Sequence, residues 1–279
     1  QKWPWHLFIW LLIILAIVNI GGNSINQLIQ IHIRLPETFA ASDVIVAQLR
    51  NTSSISMIIA GLVIGFLVSR FGDGKMLLVG FICAFVGTIA LPFAPHIIIF
   101  FIYMSLKGFS RVWIQTTAYS MVNRVVPLET RGKMMGYYNA VFYLSWGLGG
   151  TVLTGPIADS IVASNITIIL IYVILGIFLI GTWLYLIIRH LTRLEVNKNL
   201  MYIVGVFWLS ILGLIAGFLA KPFAEIIIAT GSSDAYAYVV TFYVAAILIA
   251  IGILTYIFYR PKNYLQLVTD KNNAIIQTV

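Results

Sequence analysis

Long apolar runs alternate with short polar breaks along almost the whole chain, and this alternation is the first thing the sequence establishes. The runs lie at about Trp5–Ile33, Val44–Val68, Met76–Leu91, Ile97–Val122, Lys133–Ile157, Ile166–Ile188, Leu200–Leu219 and Tyr236–Tyr259. Each approaches or exceeds the roughly 20 residues that a helix needs to cross a hydrocarbon layer about 30 Å thick. Pro36, Pro92 with Pro95, Pro127, Pro156, Pro222 and Pro261 fall near the breaks, where a residue without an N–H costs least. The pattern predicts an all-α membrane protein with about eight transmembrane helices. An even number of spans places both termini on one face, and the polar segment 263–279 reads as a loosely ordered tail.

Composition rules out a soluble domain. Of the 279 residues, 61% are hydrophobic and 9% charged, against roughly 25% charged in ordinary globular domains, and the mean hydropathy is +0.99. The net charge of +8 would point to nucleic acid or acidic partners in a soluble protein. Here its distribution marks topology: Lys2, Arg70, Lys75, Arg124, Arg131, Lys133, Arg189, Arg193, Lys198, Arg260, Lys262 and Lys271 fall at alternate ends of the runs, with Arg34 and Lys221 on the other side. The positive-inside tendency therefore puts both termini in the cytoplasm of an integral protein of the cell membrane. No nucleic-acid partner is expected. Cys83 is the single cysteine and permits no internal disulfide. Metal-type Cys/His spacing, a nucleophile elbow, a phosphate loop and a nucleotide fingerprint are all missing from the sequence, so no enzyme activity, metal or cofactor is expected. His6, His32, His96 and His190 lie near the ends of runs, where interfacial anchoring accounts for them. The chain begins at Gln1 without a secretory leader, which reads as a truncation, natural or by processing.

The turn Gly65-Phe66-Leu67-Val68-Ser69-Arg70-Phe71-Gly72-Asp73-Gly74-Lys75 is the compact polar break between the second and third runs. It resembles the signature loop of the major facilitator superfamily of transporters, with Gly65, Arg70, Gly72 and Lys75 in the expected places. Ser69 stands where that family usually has Asp, and Asp73 where it usually has Arg. A second stretch, Pro127-Leu128-Glu129-Thr130-Arg131-Gly132, with the glycine-rich Gly147-Leu148-Gly149-Gly150 and Gly155-Pro156-Ile157-Ala158-Asp159 after it, resembles the same superfamily. The resemblance implies a six-helix bundle working by alternating access. It also implies a gating role for Gly65, Arg70, Gly72, Asp73, Lys75 and Arg131, with Arg70 as the principal contact and Asp73 able to replace the missing charge partner at Ser69. The reading of Arg70 and Lys75 as plain topology markers stays open.

An internal repeat complicates the layout. Val141-Phe142-Tyr143-Leu144-Ser145 recurs as Val206-Phe207-Trp208-Leu209-Ser210, and Pro156, Ala158, Asp159, Ile161 and Ala163 recur as Pro222, Ala224, Glu225, Ile227 and Ala229. The expected organisation is a six-helix bundle over 1–193, a transmembrane hairpin over 194–262 that resembles a copy of the fifth and sixth spans, and the cytoplasmic tail. Either the chain is a second half of a transporter with an extra hairpin, or a first half whose last spans stand in for the final ones. Chance similarity between apolar segments is the third reading.

Polar residues inside spans are costly, about 2.5 to 3.5 kcal/mol for a charge at the bilayer centre, and tend to face a cavity. Lys107 and Arg111 lie near the middle of the fourth run, one turn apart, with Tyr103 and Gln115 on the same stripe. The first run carries Asn19, Asn23, Asn26, Gln27 and Gln30 beside Gly21 and Gly22; the second carries Arg50 with Ser53, Ser54 and Met57; the fifth carries Asn139, Tyr143 and Trp146. These stripes predict a substrate-binding cavity formed by Asn19, Asn23, Asn26, Arg50, Lys107, Arg111, Gln115, Asn139, Tyr143 and Trp146. Interhelical hydrogen bonding is the competing reading of the amides, and packing seams that of Gly61/Gly65 and Gly213/Gly217; Gly132 and Gly136 also read as close-packing positions. No Asp or Glu lies in the middle of a run, so the cavity should favour anionic or neutral-polar solutes. The function expected is secondary active transport of a small solute. Two alternatives stand beside it: multidrug-type efflux of hydrophobic compounds, and a transport-inactive membrane module for binding or assembly. The expected partners are the lipid bilayer, a small-molecule substrate, a coupling ion, and a second helical bundle or a second copy of the chain.

Overall fold

The computed structural model of the chain describes residues 5–164, 166–192 and 234–258. Every regular element among them is helical. The first apolar run is two helices, α1 (Trp5–Ser24) and α2 (Asn26–Arg34), broken at Ile25. The polar side chains around the break explain it. Ser24 Oγ donates to the Gly21 carbonyl at 2.7 Å and Asn23 Nδ2 to the Asn19 carbonyl at 3.0 Å, offering the backbone a local alternative to the regular ladder. The second run is α3 (Asp43–Phe71), and the third is α4 (Asp73–Ala90). Gly72, at φ +84°, both ends α3 and begins α4, a conformation that a side chain would strain. A short turn at Leu91–Phe93, containing Pro92, closes α4 before α5 (Ile97–Val125). Next come α6 (Arg131–Leu148), a π-helical turn at Gly149–Thr154, α7 (Gly155–Val162), α8 (Ile166–Thr192) and α9 (Asp234–Phe258).

Among the described residues, six helical stretches are long and apolar enough to cross a membrane: Leu7–Arg34, Asp43–Phe71, Asp73–Phe93, Ile97–Arg124, Ile166–Trp183 and Ala235–Phe258. They coincide with the first four, the sixth and the eighth expected spans. The fifth expected span corresponds to α6 with the π turn and the start of α7, and it is not among the six; α6 itself carries Arg131, Lys133 and Asn139. The seventh expected span (200–219), the repeated segments at 206–210 and 222–229, Gly213/Gly217 and the tail 263–279 lie outside the described residues.

The described helices fall into two compact units. In the first, comprising α1 to α6, the π turn and α9 from Thr241 onward, α5 lies along both α3 and α4, while α1 lies along α6 and the π turn. Lipid tails are as apolar as leucine, so close packing has to hold such helices together. Glycines mark the tight crossings. A Cβ on Gly108 would stand 2.4 Å from the Ser53 carbonyl oxygen, on Gly149 2.5 Å from that of Ile20, and on Gly21 2.8 Å from that of Ala245. The core joins Leu7, Ile14 and Val18 of α1, Leu77 and Phe81 of α4, Ile114 and Met121 of α5, Met134 and Tyr138 of α6, and Ile249 and Tyr256 of α9. The outward face of α3 is apolar and bare, with Ile58, Leu62 and Phe66 all more than 60% exposed, as a lipid-facing surface should be. In the second unit α7 packs against α8 across a tight turn in which Ser164 takes φ 52°.

Candidate functional site

The polar stripe of α5 meets α1 and α4 around a small cavity of about 30 Å³. Tyr103, Lys107, Ser110, Arg111 and Ile114 come from α5, Val18, Asn19, Gly22 and Asn23 from α1, and Ala84 and Thr88 from α4. Helical spacing places the α5 group on one face, and Gly22 keeps the facing side of α1 free of bulk. Both cations lean on aromatic rings. The Lys107 ammonium is 5.9 Å from the centroid of Tyr103, and the Arg111 guanidinium 4.9 Å from that of Trp146 on α6, within the range of an electrostatic attraction to the ring face. Asn19 is 93% buried (7% exposed), and its Nδ2 has no hydrogen-bond partner among the described residues. The hydroxyls are occupied along their own helices: Ser110 donates to the Lys107 carbonyl at 3.0 Å and Thr88 to the Ala84 carbonyl at 2.8 Å. The lining therefore presents donors and positive charge, with no carboxylate.

The rest of the expected binding set is dispersed. Asn26 Nδ2 donates to Asn23 Oδ1 at 3.2 Å and Gln30 Nε2 to the Asn26 carbonyl at 3.1 Å, so these amides of the first run bond along their own helix. Asn26 is not a lining residue of the cavity. Arg50 is exposed and donates to Gln30 Oε1, joining α3 to α2. Gln115 and Asn139 are exposed, Tyr143 is 56% exposed, and none of these lines the cavity. Trp146 reaches it only through Arg111.

The turn between α3 and α4 is built differently from the resemblance's expectation of an Arg70-centred contact. Arg70 is exposed, its guanidinium 5.7 Å from the ring of Phe71 beside it, and Lys75 is exposed as well. Asp73 does not pair with Arg70. Its carboxylate is buried and lies 3.0 Å from Arg124 Nη1 at the end of α5, because as the first residue of α4 it faces the bundle. Gly74 accepts a 2.8 Å hydrogen bond from the Tyr256 hydroxyl of α9. Arg131 Nη2 donates to the Asn123 carbonyl at 3.1 Å, tying the start of α6 to the end of α5. A Cβ on Gly61, Gly65, Gly132 or Gly136 would meet nothing within 4 Å among the described residues, so these glycines are not seams there.

Sequence reasoning missed Thr88, Ser110 and Tyr256. Ser110 carried a signal, being three residues from Lys107 and hence on its face. Thr88 and Tyr256 carried none, since each acts through a helix remote in sequence.

Comparison with known proteins adds the following. The family model described as Major Facilitator Superfamily matches residues 11–199, more than half of the chain. Among curated proteins, the proton-coupled antiporter flippase LtaA of Staphylococcus epidermidis is 38% identical over 90 residues, and LtaA of Staphylococcus aureus is 38% identical over the same length. The aligned stretch takes in 31% of this chain and only 20% of each of those relatives.

Proposed function

The chain belongs to the Major Facilitator Superfamily, and on that premise we propose that it forms part of a secondary transporter whose solute site is the cavity between α1, α4 and α5. The favoured cargo is a small anionic or neutral-polar solute, moved by rocking of helical bundles around a site deep in the membrane. One observation carries this reading: Lys107 and Arg111 stand a turn apart on α5 against a cavity that no carboxylate lines. Two half-buried cations a turn apart repel each other, so a structural role alone leaves their cost uncompensated. The turn at Gly72, held through Asp73 and Gly74, supplies a gating element at the basic face. Both termini are assigned to the cytoplasm and the protein to the cell membrane, on the distribution of Lys and Arg.

A second reading is an amphiphilic cargo, drawn from the relatives, which are named flippases. Its head would enter the cavity beside the exposed Trp146. A coupling proton belongs to that reading too, by the same name.

Vesicle flux measurements decide between these readings. Saturable uptake of organic anions, reduced at least about tenfold in Lys107→Ala with Arg111→Ala, is the expected result. Equal flux in wild type and double variant, both folded and inserted, removes the site from α5. Flux of a fluorescent lipid in place of soluble anions selects the amphiphile.

A further inference from the structure

The cavity gathers positive charge with no carboxylate to answer it. Lys107 and Arg111 both face it from α5. Of the acids in the described residues, Asp43 is paired with Arg34 at 2.5 Å and Asp73 with Arg124 at 3.0 Å, while Glu37, Glu129 and Asp159 lie in turns or near helix ends and Asp234 is the first residue of α9. None is at the depth of Lys107. The ring faces of Tyr103 and Trp146 compensate a cation only in part, by about 0.5–2 kcal/mol each. Asn19 adds an independent sign, since its buried Nδ2 finds no acceptor among the described residues although it lines the same space. A buried donor without an acceptor costs about 1–3 kcal/mol and is rare in a native fold. The space between the three helices is small, about 30 Å³. A compact anion such as a halide would meet the two cations and the Asn19 amide together in that space.

We propose that the cavity between α1, α4 and α5 is a resident binding site for a halide-class anion, held by Lys107, Arg111 and the Asn19 amide. The anion neutralises the two cations when no cargo is bound, and cargo carrying its own negative charge displaces it as the cavity widens. The site does not require the chain to transport anything, so it stands or falls apart from the transport reading.

The test uses the full chain purified in detergent, with chloride replaced by gluconate at constant ionic strength and unfolding followed by tryptophan fluorescence. Chloride and bromide should raise the midpoint saturably and gluconate should not, because gluconate is far bulkier than a halide. Lys107→Met should abolish the chloride response, and Asn19→Leu should weaken the apparent chloride affinity by about ten- to hundredfold, the cost of one hydrogen bond to a charged group. An equal response to gluconate, or an undiminished chloride response in Lys107→Met, overturns the proposal. Should Lys107→Met fail to fold, chloride NMR line broadening by the wild-type protein decides: excess broadening removed by saturating bromide supports the site, and its absence refutes it. Halide binding by a chain that moves no solute in vesicles would keep this inference and reject the transporter reading; flux without halide binding would do the reverse.

Discussion

At the scale of single residues, the α3–α4 turn is governed by contacts that reach it from distant helices. Asp73 is buried with only 3% of its side chain exposed, whereas Arg124 keeps 40% exposure, so the pair is partly screened. Removing one member of a buried pair is costly because the other charge is left behind. With Arg124 able to turn to solvent, Asp73→Asn should destabilise the fold by about 1–3 kcal/mol, less than the loss of a fully buried pair. A double-mutant cycle with Arg124→Gln, read by denaturant unfolding in detergent, should give a coupling of at least about 0.5 kcal/mol; simple additivity would show that the two do not interact. Tyr256 separates hydrogen bonding from packing. Its ring stacks on Trp10 at 5.5 Å and meets Phe81 edge-on at 5.7 Å, while its hydroxyl binds Gly74. Tyr256→Phe keeps the rings and should cost about 1 kcal/mol, whereas Tyr256→Ala should cost about 3–5 kcal/mol. Similar losses in the two variants would remove the hydroxyl's special place.

At the scale of elements, glycine positions divide into two kinds that look alike in the sequence. Gly108 lies where α5 crosses α3, and the atom that a Cβ would strike is backbone, the Ser53 carbonyl oxygen at 2.4 Å. Backbone cannot step aside, so Gly108→Ala should force the helices apart and cost about 1–3 kcal/mol. Gly132 and Gly136 on α6 have open space around them among the described residues. Gly132→Ala should be neutral, or stabilising by up to about 1 kcal/mol through helix propensity. Thermal unfolding of both variants checks the contrast, and a destabilised Gly132→Ala would mean that a further surface packs on α6. The break at Ile25 belongs to this scale too. The π turn faces it, with the Thr154 hydroxyl donating to the Ser24 carbonyl at 2.6 Å. Two irregular backbones thus satisfy each other inside the bundle, which is where a membrane protein tolerates them.

At the scale of the whole molecule, the helices allow a bilayer assignment by length and apolarity, and the basic residues predict its sense. In a Cys83→Ser background, Lys75→Cys should be modified by an impermeant maleimide only after the cells are permeabilised, whereas Glu37→Cys should be modified from outside. The opposite pattern would invert the topology and with it the proposed placing of the α3–α4 turn in the cytoplasm. The placement of α9 is the least local feature of the first unit. Gly252 of α9 sits so close to Val18 that a Cβ would lie 2.4 Å from Val18 Cγ2, and Tyr256 reaches a turn 182 residues earlier in the chain.

The sequence by itself determined the class of the protein and most of its spans, because helix length and apolarity are local quantities that the bilayer reads directly. It also marked the turn at Gly72, where two glycines and flanking basic residues interrupt apolar runs, and the stripe holding Lys107 and Arg111, where period and charge coincide. Only the tertiary structure decided which polar stripes converge. Periodicity says which side chains share a face of a helix, but not which neighbour that face meets. Asn19 and Asn23 therefore join Lys107 and Arg111 at a cavity, while Arg50, Gln115 and Asn139, just as polar and just as regularly spaced, do not line it. The partner of Asp73 was hidden for the same reason, since Arg124 approaches it only once α4 and α5 have packed.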